Sequence, residues 1–216
     1  MCRKTYVWRW ITHISGVRNG RAASTGDDSG CGAGISARRK DAALFGAQAV
    51  NAYVDESRAT QDVDIVSTSG SACAEAVRAY LSDRFHIAVR VREVAGGKGF
   101  RIDQIRKPQN RHLVDVRPVE VLPPAQVVED LLVVTPPELI ANKVVAMSHR
   151  RGKPKGGTDW RDIAVLLLKF PQLKTAKGEV WERLAAASAD STALETWEQL
   201  VEQQITAEGD EEEFSS

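Results

Sequence analysis

Asp62 and Asp64 stand two residues apart in a stretch, residues 61–66, where carboxylate and aliphatic side chains alternate. Strand side chains leave opposite faces in turn, so both carboxylates share one face while Val63 and Ile65 point the other way, into a core. Two carboxylates about 7 Å apart along a strand repel unless something positive lies between them. Magnesium meets that need: it takes oxygen ligands and completes its shell with water and substrate phosphates. Asp115, between Val114 and Val116, is a third acid in the same kind of setting. If its strand lies beside the first, three acids converge on one edge of a sheet. Gly46 falls where a short apolar strand gives way to a helix, and a glycine there lets backbone N–H groups approach a phosphate closely. A divalent metal, a triphosphate and three carboxylates together suit metal-assisted attack on an α-phosphate.

Each piece has a plainer reading by itself. An Asp-x-Asp on a strand is commonly a solvated face, one acid on an amphipathic strand is routine, and a glycine can mark only a turn. The combination carries the weight: glycine after a strand, then Arg58-x-Thr60-x-Asp62-x-Asp64, then a later aliphatic-Asp-aliphatic.

The elements that must position these residues are legible. Residues 42–45 form a short apolar strand ending at Gly46, and residues 48–54 look helical. Residues 72–85 form an amphipathic helix opened by the turn signal Ser69-Gly70-Ser71. Residues 88–94, 100–105 and 113–121 are rich in β-branched side chains and separated by turn sequences, so they read as antiparallel strands. After Pro124 the pattern turns helical. Thr135-Pro136-Pro137-Glu138 reads as a capping box with proline at the first helical position, starting a helix that runs to about His149. A basic loop with glycines follows, then a helix from Thr158 or Asp159 that stops before Pro171, then one or two helices in residues 178–205.

Cations are placed suggestively. Lys143 lies inside the apolar stripe Leu139, Ile140, Val144 and Met147, so it must snorkel to the edge or meet a negative partner. Arg150, Arg151, Lys153 and Lys155 form one basic group, readable as a solvated loop or as a contact to nucleotide or acceptor phosphate. Lys98, Arg101, Arg106, Lys107 and Arg111 form another, near the hairpins. If both groups share a face with the acids, a nucleic-acid acceptor becomes plausible. The four histidines show no metal-ligand spacing, and Trp160, Ile163 and Leu167, like Leu194, Trp197 and Val201, follow helical core spacing.

Composition sets the outer bounds. The 216 residues carry 29 Lys+Arg and 29 Asp+Glu, so bulk charge does not draw the chain to nucleic acid. No apolar run approaches the ~18 residues a membrane span needs. Three scattered cysteines make neither a disulfide framework nor a zinc site, and a reducing cytoplasm is the expected compartment. Residues 1–37, with glycines at 16, 20, 26, 30, 32 and 34, read as a flexible leader. Residues 38–125 read as the core domain, residues 126–206 as a helical C-terminal region, and residues 207–216 as an acidic tail.

The stretch from residue 44 to 66 resembles the DNA polymerase β-type nucleotidyltransferase superfamily. More narrowly it is similar to the minimal and AbiEii-like toxin nucleotidyltransferases. Their signature is a small apolar strand, Gly followed by Gly or Ser, a helix, Arg-x-Thr-x-Asp-x-Asp, and a third acid on a later strand. Gly46, Arg58, Thr60, Asp62, Asp64 and Asp115 fall on those positions. Lys143, the basic loop and Asp159 with Asp162 continue the likeness, over about residues 40–170. Ala47 departs from it: the amide remains where the family usually has Ser or Gly, but a hydroxyl that could bind phosphate is absent.

The resemblance implies an α+β nucleotidyltransferase fold, a small mixed sheet with flanking helices and a helical C-terminal region. It implies a magnesium-dependent enzyme that moves an NMP from an NTP to a hydroxyl of RNA, protein or a small molecule. Asp62, Asp64 and Asp115 would be the catalytic and metal-holding acids. Gly46, Ala47, Arg58, Thr60 and Lys143 would bind the nucleotide. A cognate antitoxin is an implied partner. Two other readings stay open: a non-catalytic nucleotide-binding domain of the same fold, which Ala47 favours, and the partner-binding half of a toxin–antitoxin pair.

Overall fold

A computed structural model of the chain describes residues 41–94, 96–187 and 189–207. The expected leader and nearly all of the expected acidic tail lie outside the described residues. The fold is mixed α/β, with a seven-stranded mixed sheet and six helices among the described residues. The chain divides into two compact units, crossing between them at 45/46, 59/60 and 133/134.

The first unit holds the sheet. Its strands are β1 (Ala42–Phe45), β2 (Val63–Ser67), β3 (Val89–Val94), β4 (Gly99–Gln104), β5 (Arg111–Pro118), β6 (Ala125–Val128) and β7 (Leu131–Val134). Their order is β3-β4-β5-β2-β1-β7-β6. The β3–β4 and β4–β5 pairs are antiparallel, as the hairpin sequences imply, whereas β2 pairs with β5 in parallel and β1 runs antiparallel to β2. The helix Gly70–Phe85, numbered α2 because Gly46–Tyr53 in the other unit is α1, lies against β2, β3, β4 and β5. Val63, Ile65, Ile102, Val114 and Val116 are buried, as are Cys73, Ala74, Val77 and Leu81 of α2. That apolar layer fixes the register, because a one-residue slip would turn every acid into the core. Gly70 must lack a side chain: a Cβ there would come within 2.8 Å of the Pro118 ring.

The second unit is helical: α1, α3 (Pro136–Ser148), α4 (Pro154–Lys169), a short 3₁₀ turn Pro171–Leu173, α5 (Glu179–Ala186) and α6 (Ser191–Glu202). Helix α3 is central and touches α1, α4, α5 and α6. Of its stripe, Leu139, Ile140 and Val144 are buried alongside Ile163, Leu166, Leu184 and Trp197, while Met147 is only half-buried. No helix among the described residues is long and apolar enough to cross a membrane.

Four readings need correction. Residues 125–134 form β6 and β7 rather than starting the helical region, because two aliphatic runs flank Glu129-Asp130, both at positive φ, the geometry of a tight hairpin turn. Thr135 makes no side-chain cap bond: Pro137 at the second helical position has no N–H, and the Thr135 hydroxyl does not accept from Glu138 N–H either. Helix α4 begins at Pro154, absorbing half of the expected loop. Trp160 is 38% exposed, while Ile163 and Leu167 of the same spacing are buried.

Candidate active site

The parallel pairing of β2 with β5 sets Asp64 directly beside Asp115. Paired residues in adjacent strands face the same way, so the two carboxylates share a face, and alternation puts Asp62 there too. The Thr60 hydroxyl donates to the Asp62 carbonyl oxygen at 2.9 Å, which holds the chain where it enters β2. Asp62 and Asp115 keep 42% and 32% of their side-chain surface open, enough for a ligand to reach them. Phe45, opposite Asp64 on β1, lies under the Arg117 guanidinium at 5.2 Å, a cation–π pair. With Lys98 and Arg101 these side chains line a recess of about 170 Å³ beside Asp64 and Asp115.

Three further residues complete this face: Arg101, read from the sequence only as part of a basic group, and His112 and Asp103, which the spacing did not single out. Arg101, opposite Asp115 on β4, donates from Nε to Asp115 Oδ1 at 3.1 Å. His112 should point away from Asp115, three residues on in the same strand. A bulge intervenes: Ile102 pairs with Val114 but Asp103 pairs with His112, leaving Leu113 as the extra residue. The bulge turns His112 onto the acid face. Its Nε2 lies 3.1 Å from Asp115 Oδ2 and 3.8 Å from Asp62 Oδ2. Its Nδ1 lies 3.4 Å from Oδ1 of the buried Asp103. Among the described residues, Asp62, His112 and Asp115 offer ligand atoms all within 4.8 Å of one another. His112 Nε2 is buried and has no hydrogen-bond partner.

This donor set fits a divalent cation. Donor atoms around one ion at about 2.1 Å lie roughly 3–4 Å apart, close to the separations found here. The orphaned imidazole nitrogen and two carboxylates aimed at one point are what such an ion satisfies.

The remaining expected site residues belong to the second unit. Gly46 opens α1 at φ +68°, a conformation glycine adopts without strain, and the buried Ala47 follows it. Asn51 brackets the Arg58 backbone, donating to its carbonyl oxygen at 2.9 Å and accepting from its N–H at 3.1 Å. The Arg58 guanidinium donates to both oxygens of Asp162, at 2.7 and 3.0 Å. Lys143 meets the negative partner its position demands, donating to Asp162 at 2.7 Å and Asp159 at 3.3 Å. Arg150 closes the chain of charges on Asp159 at 2.6 Å, and Arg151 donates to the Thr196 hydroxyl. Two of the four cations expected in a free loop are therefore tied to the helices, while Lys153 and Lys155 are exposed. Burial pushes the Asp162 carboxyl up, but the hydrogen bonds and charges of Arg58 and Lys143 outweigh it and hold Asp162 below its ordinary value.

The sheet, with acids from β2 and β5 on one face and a helix behind it, has counterparts among solved structures. The Megavirus polyadenylate synthase matches over 61% of this chain at TM-score 0.51 and 12% identity. This chain spans 29% of that enzyme's length. An antigenic nucleotidyltransferase-like protein from Paracoccidioides brasiliensis matches at TM-score 0.42 and 18% identity, covering 77% of this chain and 86% of its own. The Helicobacter pylori protein JHP933 matches at TM-score 0.49 and 11% identity, covering 91% and 87%. The fold is that of the nucleotidyltransferases. No curated protein sequence matches. A family model described as nucleotidyl transferase AbiEii toxin, type IV TA system, matches residues 32–215. The chain belongs to the AbiEii nucleotidyltransferase family.

Proposed function

We propose that this chain moves a nucleoside monophosphate from an NTP to a hydroxyl acceptor with magnesium or another divalent cation, and releases pyrophosphate. The observation that carries the reading is Asp64 beside Asp115 in register, with Asp62 on the same face. Asp62, Asp64 and Asp115 would hold the cation, which when bound neutralises the triphosphate and polarises the α-phosphate. The acceptor oxygen bonds to the α-phosphorus, the bond from that phosphorus to the bridging oxygen breaks, and the acceptor's proton passes to Asp115. Thr60 positions Asp62. The amides of Gly46 and Ala47 cradle the phosphates, as the family motif implies. The motif also gives Arg58 and Lys143 a part in nucleotide binding; their pairing with Asp162 and Asp159 supports a pre-set cation cluster.

Arg90, Arg92 and Arg101 stand at positions of β3 and β4 that pair onto the acid face, and Arg117 lies on it. These cations favour RNA as the acceptor over an uncharged small molecule. The family description, a toxin of a type IV TA system, supports a toxin role with an antitoxin as partner; the compartment that goes with this reading is the cytoplasm.

The test is a metal-dependent labelling assay with each NTP. Asp62→Ala and Asp64→Ala should each abolish transfer; unchanged transfer in both would sink the mechanism. Ala47 keeps a second reading in view, a domain that binds triphosphate without turnover. Saturable NTP binding with no product from any acceptor pool would favour it.

A further inference from the structure

We propose that His112 is itself a ligand of the cation held by Asp62 and Asp115, and that this nitrogen donor makes the seat favour Mn²⁺ over Mg²⁺. The inference rests on the metal-site reading above and adds to it the identity of the donor and of the ion.

Three features of the ring carry it. First, the Leu113 bulge places it: with regular alternation the imidazole would face α2, and instead its Nε2 stands 3.1 Å from one acid oxygen and 3.8 Å from another. Second, the far side of the ring is anchored. Asp103 is 5% exposed and places Oδ1 3.4 Å from Nδ1. A cation seated between Asp62 and Asp115 would meet Nε2 as its ligand atom, with Nδ1 left to donate to Asp103. Arg90 and Arg92, whose nitrogens lie 3.9 and 3.7 Å from Asp103 Oδ2, face its other oxygen and leave Oδ1 to the ring. Third, Nε2 is buried and has no hydrogen-bond partner. A cation seated there would give this nitrogen and both carboxylates a common partner.

The ion follows from the donors. Three carboxylates alone suit magnesium, which prefers oxygen ligands and keeps its waters. An imidazole nitrogen shifts the preference toward first-row transition ions, and manganese, the hardest of them and the one that shares magnesium's preference for carboxylate, suits one nitrogen with two or three oxygens. Asp103 acts as a positioning residue by holding the far side of the ring.

The experiment uses the full-length untagged protein without nucleotide, with Mn²⁺ alone as the probe. Pulsed electron paramagnetic resonance of bound Mn²⁺ should show ¹⁴N coupling. His112→Gln and His112→Asn, each checked for an unchanged unfolding midpoint, should lose the coupling. Asp103→Asn should weaken Mn²⁺ binding about 10-fold or more. Mg²⁺ should displace Mn²⁺ only at about 10-fold or greater excess. Bound Mn²⁺ with no ¹⁴N coupling, coupling that survives in both His112 variants, no Mn²⁺ binding, or equal affinity for the two ions would each overturn the proposal. Transfer that depends on Asp62 and Asp64 in a protein with no coupling would remove the ligand and leave the reaction. Coupling in a protein that transfers nothing would do the reverse.

Discussion

Asp162 is fully buried, yet it is charged and accepts from Arg58 and Lys143 together. Removing one partner of a buried ion pair costs about 3–5 kcal/mol, because the charges left behind have no other match. Asp162→Ala is therefore expected to lower the unfolding free energy by about 3 kcal/mol, read from urea midpoints at pH 7. The pH dependence follows from the direction of the shift. The folded-state value of Asp162 lies below the unfolded one, so its contribution is full above the unfolded value, near 3.8, and is lost as pH falls through the lower folded value. Wild-type stability should drop across that acid window, and the part of the drop due to Asp162 should be missing in the variant. Residue by residue, the sequence disclosed the carboxylates better than the ring beside them. Asp62 and Asp64 are readable because a strand's period of two needs no partner to be known. His112 is not, because its face depends on a bulge that exists only when β5 pairs with β4. Lys143 was readable as snorkelling or meeting an acid, and the choice between them required the packing of α3 on α4.

At the scale of elements, strand and helix types were legible wherever an apolar period ran uninterrupted. They were not where a turn or a glycine pair misled. The Val127-Val128-Glu129-Asp130-Leu131-Leu132 run reads equally as a helix turn or a hairpin, and only pairing with β1 through Val133 decides it. Gly156-Gly157 reads as loop, yet both residues lie in the first turn of α4. The two glycines there should respond oppositely to alanine. A Cβ on Gly156 would sit 2.6 Å from the Arg150 carbonyl oxygen, a backbone atom that cannot swing aside. The helix-propensity gain of up to about 1 kcal/mol is then outweighed by overpacking of about 1–3 kcal/mol. Gly157 has nothing within 4 Å of that position, so alanine there keeps the gain. Thermal unfolding should show Gly156→Ala melting below wild type and Gly157→Ala at or above it. Equal shifts in the two would contradict this account of why α4 starts where it does.

The molecule as a whole carries no net charge, so any hold on a polyanion must come from a local arrangement rather than from the overall field. Sequence order conceals such arrangements. Arg90, Arg92, Arg101 and Arg117 are spread over 28 positions and come onto one face only through the pairing of β3, β4, β5 and β2. For the same reason the two units could not be read as such from the sequence, since residues 46–59 leave the sheet unit and group with helices that come some eighty residues later. Arg90 and Arg92 have about half of their side-chain surface open, at 49% and 52%, and their approaches to Asp103 at 3.9 and 3.7 Å are too long for hydrogen bonds. Their ion pairs with Asp103 are long and half-exposed, so a phosphate can compete for them. Each phosphate contact on a single strand contributes about 0.7 to the slope of log affinity against log salt. If RNA is the acceptor, replacing both arginines with alanine should weaken single-stranded RNA binding and flatten that slope by up to about 1.4. NTP binding measured in parallel at one salt concentration should change far less. A slope identical to wild type would mean that this face does not grip the acceptor's backbone, and the case for RNA over an uncharged hydroxyl would fail with it.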